Sequence, residues 1–325
     1  MHMADDAPLR LAYIGAGNFS NSFMYPQLRT HNVELAAVCD LAEEKAQRAA
    51  AQYGFQRVYT DFRRMLEQVQ PEAVICVGGP QVHYEVGREV LAAGFPLYVQ
   101  KSPAPSPDQT QELADLAARH GVVCHVGFNL RQSEAVRQAR ALAGSEEFGP
   151  LTLAIVRYGL VSGPTLENAV MDQHCHAYDT LRRLGGEVDS LEVRVANVPG
   201  KRGYVVAARM QSGAVATLNF TSEQPWLQEF FYFELTGTGG HVLYSHDFDL
   251  VYRQADAPEQ HWRRGVYTGD RVADLRWLGY VPDVANFLAA VRGTEPDESP
   301  VADAVGTMEL CEEVYWQLQE QGAER

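Results

Sequence analysis

Positive charge is scarce in this chain of 325 residues, where 27 lysines and arginines face 42 aspartates and glutamates for a formal net charge of −15. Such a field repels nucleic acid and anionic membrane surfaces at long range, so neither partner is expected. No apolar run approaches the length that spans a bilayer, and the start, Met1-His2-Met3-Ala4-Asp5-Asp6, has no basic region followed by an apolar one. A cytoplasmic location is expected on those two grounds. Cysteine is sparse and shows no paired metal-binding spacing. Cys39, Cys76 and Cys124 fall in or beside apolar runs that read as buried strands, Cys311 falls in a helical pattern, and all four read as small core residues. Internal repeats and low-complexity tracts are absent as well.

The apolar run Leu11-Ala12-Tyr13-Ile14 breaks into Gly15-Ala16-Gly17-Asn18-Phe19-Ser20, most of a dinucleotide-binding turn. Gly15 permits the tight bend, and Gly17 leaves room for a pyrophosphate to approach backbone N–H groups where a helix begins. Ser20 stands at the third glycine position, where its hydroxyl can donate to a phosphate but packs less closely beneath the strand. The same motif requires an acid about 20 residues on, at the end of a second strand. Asp40 meets it, following the run Val33-Glu34-Leu35-Ala36-Ala37-Val38-Cys39, and is placed to accept the ribose hydroxyls. An anion there repels a 2′-phosphate, which favours NAD over NADP. The competing reading makes Asp40 a cap for a helix opening at Leu41.

A chain this long can hold two cores. Up to about Phe148 short apolar runs alternate with segments of helical period, as in a parallel sheet covered on both faces. Strands are predicted at 9–14, 33–39, 73–77, 97–100 and 122–126, with helices between them. Ser106-Pro107-Asp108-Gln109 predicts a helix start with a capping box, Gly54, Gly94 and Gly121 predict helix ends, and Pro26 predicts a short or kinked first helix. After Gly149-Pro150 the pattern changes to strands at 151–158, 191–198, 204–211, 214–222, 229–237, 241–245 and 250–253, a mostly antiparallel sheet with one face to cover. Helices at 171–184, 281–291 and 301–319 would cover it. The expected architecture is an α/β doubly wound Rossmann-type parallel sheet in residues 1–128, then an α+β domain with an open sheet in 129–325, whose final helix can pack back on the first.

Ligands of doubly wound sheets lie outside the carboxyl ends of the strands. Gly78-Gly79-Pro80 follows one such end and would let backbone pass close to a cofactor, or is a plain turn. His83 comes one turn later, on the surface or at the cofactor rim rather than as a base. Gln100-Lys101 lands at the same rim, where the ammonium can hydrogen-bond a substrate oxygen and steady negative charge on it, or lie in solvent. The densest cluster is Asp172-Gln173-His174-Cys175-His176-Ala177-Tyr178-Asp179. Met171, Cys175, Tyr178 and Leu181 form its apolar stripe. Asp172, His176 and Asp179, spaced by four and three, share a helical face, so the carboxylate can orient the imidazole as a proton acceptor. A metal site or an ordinary surface ion pair are the other readings. His174 points elsewhere and reads as structural. Tyr158, Trp226, Phe230, Tyr232 and Trp262 are candidate walls around a substrate.

Together these residues resemble the Gfo/Idh/MocA family of glucose–fructose oxidoreductases and inositol dehydrogenases over nearly the whole chain. The resemblance rests on Gly15-Ala16-Gly17-Asn18, Cys39-Asp40, His83 with Ala93-Gly94, Val99-Gln100-Lys101, Val126-Gly127-Phe128-Asn129-Leu130-Arg131, Asp172 to His176 to Asp179, and Thr236-Gly237-Thr238-Gly239-Gly240. It implies oxidation of a sugar or polyol hydroxyl with NAD or NADP, no metal, and a homo-oligomer formed through the C-terminal sheet. By resemblance Lys101 matches the lysine of the family's Glu-Lys-Pro motif, and Asp172 and His176 match its helical acid and histidine. His176 would then take the hydroxyl proton, Asp172 orient it and Lys101 steady the alkoxide, while Asn129, Arg131, Tyr158 and Asp179 bind substrate. Gln100 and Ser102 depart from the family's Glu and Pro, and the glycine cluster common before the helical acid is missing. The same resemblance admits a non-catalytic NAD(P)-binding regulator or an NAD-dependent glycosidase.

Overall fold

The computed structural model describes residues 7–159, 165–196, 198, 203–221, 231–265 and 269–323. They form two compact units, the first built from 1–128, 269–276 and 280–305, the second from 129–268, 277–279 and 306–325.

In the first unit, β1 (Leu9–Ile14), β2 (Val33–Cys39), β3 (Arg57–Tyr59), β4 (Ala73–Cys76), β5 (Leu97–Gln100) and β6 (Cys124–Gly127) alternate with α1 (Tyr25–Leu28), α2 (Glu43–Tyr53), α3 (Phe62–Val69), α4 (Pro80–Ala92) and α5 (Pro107–His120). The strands pair in parallel in the order β3-β2-β1-β4-β5-β6, so the order reverses between β1 and β4. Fully apolar strands such as Ala73-Val74-Ile75-Cys76 suit a sheet covered on both faces. The three-residue β3 escapes sequence reading because its Arg57-Val58-Tyr59 is too short and too exposed to show a period. Ser106 caps α5 by accepting the Gln109 N–H, but the box is not reciprocal, since the Gln109 side chain meets the Ser106 hydroxyl instead of its N–H. Gly54 and Gly121 end α2 and α5 in left-handed conformation, and Gly94 follows the cap of α4. Before Pro26 the first helix runs as a π turn, Ser20–Met24, and after it only Tyr25–Leu28 remain helical.

The second unit carries α6 (Glu134–Ala143), β7 (Leu151–Tyr158), α7 (Leu166–Asn168), α8 (Cys175–Gly185), β8 (Val188–Val195), β9 (Gly203–Met210), β10 (Val215–Thr221), β11 (Phe231–Gly237), β12 (Val242–His246), β13 (Asp249–Gln254) and β14 (Ala257–Trp262). Its sheet order is β14-β13-β12-β11-β7-β10-β9-β8, antiparallel except for the β7–β10 pair. The strands alternate between buried and part-exposed residues, as one-faced packing demands. Edge strand β14 was not expected: Ala257-Pro258-Glu259-Gln260 is polar and exposed. The chain closes with α9 (Arg271–Trp277), likewise unexpected, α10 (Tyr280–Arg292) and α11 (Val301–Glu320). Val284, Phe287 and Leu288 of α10 enter the core of the first unit beside Leu11, Tyr13 and Ile75.

No helix among the described residues is long and apolar enough to cross a membrane. All five cysteines are buried free thiols.

Candidate active site

Four segments of the first unit leave the carboxyl ends of neighbouring parallel strands: Gly15–Gly17 after β1, Asp40 after β2, Gly78-Gly79 after β4 and Lys101 after β5. Gly15 has φ +105°, and a Cβ there would stand 2.0 Å from the Val77 carbonyl oxygen, so only glycine passes beneath β4. Its carbonyl accepts from both Ser20 Oγ (2.7 Å) and Tyr25 OH (3.0 Å), which fixes the bend. Ser20 is therefore corrected: buried beneath the turn, it gives its one proton to Gly15 and accepts from Tyr13 OH, and has none left for a phosphate. A Cβ on Gly17 would meet nothing within 4 Å. Asn18 and Phe19 follow it as the first residues of an unbroken helix to residue 28, whose opening N–H groups have no partner within the helix.

Asp40 sits over this turn, its Oδ2 accepting the Ala16 N–H at 2.7 Å and its Oδ1 the Ala42 N–H at 2.9 Å. The helix that follows starts at Glu43, with Ala42 as its cap residue, so Asp40 braces the glycine turn instead of opening a helix at Leu41. This fits a dinucleotide: an open glycine step at a helix start, with a carboxylate beside it where ribose hydroxyls need an acceptor.

His83 differs from expectation. It is fully buried, its Nε2 accepting the Gly78 N–H (2.9 Å) and its Nδ1 donating to the Ser102 carbonyl (2.8 Å). That arrangement requires a neutral imidazole protonated on Nδ1. His83 is neither surface nor rim; both nitrogens are spent tying the Gly78-Gly79 turn to the segment after Lys101. Gln100, also buried, accepts the Lys101 N–H through Oε1 at 3.2 Å. Lys101 itself is half-buried.

In the second unit Asp172 lies in a π turn, Ala169–Gln173, closed by the His174 N–H on the Ala169 carbonyl (2.8 Å), and α8 starts only at Cys175. The expected single helix 171–184 is thus interrupted, and the extra residue in the turn breaks the phase assumed to align Asp172 with His176. Met171, Cys175, Tyr178 and Leu181 are buried as the stripe required. His176 is buried, its ring 6.4 Å from that of Tyr158 at the end of β7, which removes the exposed ion-pair reading. Asp172 accepts from Gln173 Nε2 at 3.0 Å. His174 is structural as expected, with Nδ1 2.7 Å from Tyr204 OH and its ring stacked on Phe220.

Three expected substrate groups are engaged inside the unit. Arg131 and Asp179, both buried, pair through Nε at 3.1 and 2.9 Å to the two carboxylate oxygens, and Thr307 Oγ1 adds a bond to Oδ1 at 3.2 Å. Asn129 donates Nδ2 to the Leu278 carbonyl at 2.8 Å. Arg131 and Asp179 satisfy one another because a lone charge at that depth costs several kcal/mol. Tyr232 cannot share a wall with Tyr158: the register pairs it with Arg157, on the opposite face, and the Arg157 guanidinium lies 5.2 Å from its ring. Trp262, on the far edge strand, is four strand spacings or roughly 19 Å from β7. Trp226 and Phe230 lie outside the described residues. Among those residues no group of three His, Cys, Asp or Glu can hold a metal ion.

Sequence reading missed the buried Tyr98, His125 and Asp283 with the half-buried Asp297, a set whose hydrogen-bonded partners are up to 185 residues apart. The available signal was polar residues inside apolar elements: a histidine in the β6 run and an aspartate in the apolar stretch of α10.

The fold and these segments define a doubly wound dinucleotide-binding unit coupled in one chain to an α+β unit with an open sheet. Residues 9–128 match the Gfo/Idh/MocA family model, described as "Oxidoreductase family, NAD-binding Rossmann fold", so the first unit is similar to the nucleotide-binding domain of that family. D-glucoside 3-dehydrogenase of Escherichia coli (strain K12) is 33% identical over 152 residues, 46% of this chain and 43% of that protein. Against several curated relatives the chain thus spans about half their length. D-apiose dehydrogenase of Paraburkholderia graminis is 25% identical over 95% of this chain and 87% of its own. A solved dehydrogenase from Chromobacterium violaceum, 22% identical, superposes with a TM-score of 0.89 over 98% of this chain and 97% of that one, which establishes the shared fold.

Proposed function

We propose that this protein is an NAD-dependent dehydrogenase or reductase acting on a CH–OH group of a sugar or polyol. The observation that carries the reading is the Asp40 carboxylate held 2.7 Å from the Ala16 N–H above an open glycine step, in a domain of NAD-binding type. Gly17, Asn18 and Phe19 would cradle the pyrophosphate on a bend shaped by Gly15 and Ala16, whose N–H groups are held by Cys39 and Asp40; Asp40 would accept the ribose hydroxyls and disfavour a 2′-phosphate, and Gly78 and Gly79 would flank the dinucleotide. Bound NAD supplies the two-electron acceptor. Lys101 is assigned to the substrate oxygen, where an ammonium stabilises alkoxide character. His176 takes the hydroxyl proton, and Tyr158 packs against its ring. That relatives named for a glucoside and for apiose are sugar dehydrogenases supports the substrate class.

Two further assignments accompany this reading. Five buried free thiols suit a reducing compartment, hence the cytoplasm. The sheet face bearing Ile155, Thr217 and Tyr232, part-exposed along β7, β10 and β11, suits pairing with a second copy of the chain.

The test is absorbance of reduced nicotinamide during incubation with NAD and panels of sugars and polyols. Net NADH is expected with at least one member, and Lys101→Ala should lower that turnover about a hundredfold or more while NAD affinity stays within about threefold. Sugar release without net NADH, or NAD binding with no turnover on any panel member, would overturn the assignment.

A further inference from the structure

Tyr98 and Gln100 lie two residues apart on β5 and so share a face of the sheet, each beside its register partner on β6: His125 opposite Tyr98, Gly127 opposite Gln100. The His125 ring stacks on Tyr98 at 5.2 Å between centroids. From α10, Asp283 reaches the same face, accepting Tyr98 OH on Oδ2 (2.7 Å) while its Oδ1 meets His125 Nε2 (3.2 Å). His125 Nδ1 lies 2.7 Å from Asp297. Gly127 makes the space, since a Cβ there would stand 2.0 Å from Gln100 Oε1 and 2.3 Å from Tyr98 OH.

The phenol has a single proton, and geometry assigns it to Asp283, because Gln100 Oε1 is 3.5 Å away. Gln100 Oε1 takes the Lys101 N–H instead. A neutral amide tolerates this arrangement, whereas a carboxylate at position 100 would face Asp283 across a proton already given. We propose that Tyr98, His125 and Asp283 are positioning residues: by committing the phenol proton to Asp283 beside position 100 they admit only a neutral acceptor under the Lys101 peptide, and so set the point from which the Lys101 side chain leaves β5. The value of that position to the reaction rests on the role assigned to Lys101. The groups facing Tyr98 and Gln100 are Asp283 and, beyond it, His125 with Asp297, together with the phenols of the buried Tyr13 and the partly buried Tyr280. Burial and Asp283 hold the Tyr98 phenol protonated well above the ordinary range, so it remains a donor.

The experiment is a cycle of Gln100→Glu and Asp283→Asn, read by NADH fluorescence titration between pH 5.5 and 8 and by urea unfolding. Gln100→Glu should bind NADH at least tenfold more weakly at pH 8 than at pH 5.5, where the new carboxyl is protonated and mimics the amide; the parent should change less than threefold. Adding Asp283→Asn should bring the pH 8 affinity back to within threefold of Asp283→Asn alone. A pH profile like the parent's, or effects of the two substitutions that simply multiply, would overturn the proposal. Unfolding midpoints give the same coupling without cofactor: a parent that binds no NADH counts against the dehydrogenase reading, while a coupled unfolding cycle still supports this clamp and an additive one sinks it. If Gln100→Glu does not fold, Tyr98→Phe takes its place in the unfolding cycle; removing donor and acceptor together should then cost less than the separate losses combined, and additivity again overturns the idea.

Discussion

Asp179→Ala separates a structural ion pair from a substrate-binding acid. The Arg131 and Asp179 side chains are 3% and 1% exposed, and both guanidinium–carboxylate contacts through Nε are 3.1 Å or shorter. Removing the carboxylate leaves Arg131 charged and unsolvated and takes from Thr307 Oγ1 its acceptor at Oδ1. Breaking one side of a buried pair costs about 3–5 kcal/mol. In a body of this unit's size each kcal/mol lowers the midpoint by roughly 2–4 °C, so the calorimetric transition of the second unit should fall by roughly 6–20 °C. The variant Arg131→Met/Asp179→Leu, which removes both charges and keeps apolar volume, should recover most of that loss. A drop of less than about 1 kcal/mol for Asp179→Ala, with loss of substrate affinity as the main effect, would refute the structural assignment and return Asp179 to the substrate.

Other expectations are equally direct. Gly15→Ala must displace the Val77 carbonyl, 2.0 Å from the new Cβ, and equilibrium dialysis should find NAD binding lost together with a lowered midpoint. Asp40→Ser should weaken NAD by roughly tenfold to a hundredfold, the worth of charge-assisted hydrogen bonds, and narrow the NAD to NADP affinity ratio; an unchanged ratio excludes Asp40 from the ribose. Stability should fall on both sides of about pH 6.5. Burial alone would push His125 down, but Asp283 and Asp297 raise it to about 9, so its contribution of about 3 kcal/mol is complete below 6.5 and lost as pH rises through 9. Burial, with Arg276 and Arg292, lowers His31 to about 4, so stability is lost as pH falls from 6.5 through 4. Urea midpoints in His125→Asn and His31→Gln should flatten the alkaline and acid limbs respectively.

The first unit was legible where periodicity and local chemistry coincide. Strands β1, β2 and β5 lie where their apolar runs predict, and Gly15, Asp40 and Lys101 follow strand ends as the doubly wound pattern requires. Ser20 and His83 were misread, and the partners of Asn129, Arg131 and Asp179 were not foreseen, for a common reason: each is polar, close in sequence to the motif residues, and buried with a partner that spacing does not reveal. Arg131 and Asp179 are 48 residues apart, His83 and Ser102 are 19 apart. The π turn before α8 hides in a run whose apolar stripe is intact, because one inserted residue shifts the polar face while leaving Met171 and Cys175 buried.

The first unit's interior includes side chains from α10, encoded more than 150 residues after β6. During vectorial synthesis the sheet emerges early yet waits for Val284, Phe287 and Leu288 before its last hydrophobic layer closes, and His125 waits with it for Asp283. A fragment ending at residue 128 should therefore be aggregation-prone, and ribosome-bound intermediates should depend on chaperone shielding until the stretch through residue 305 is released.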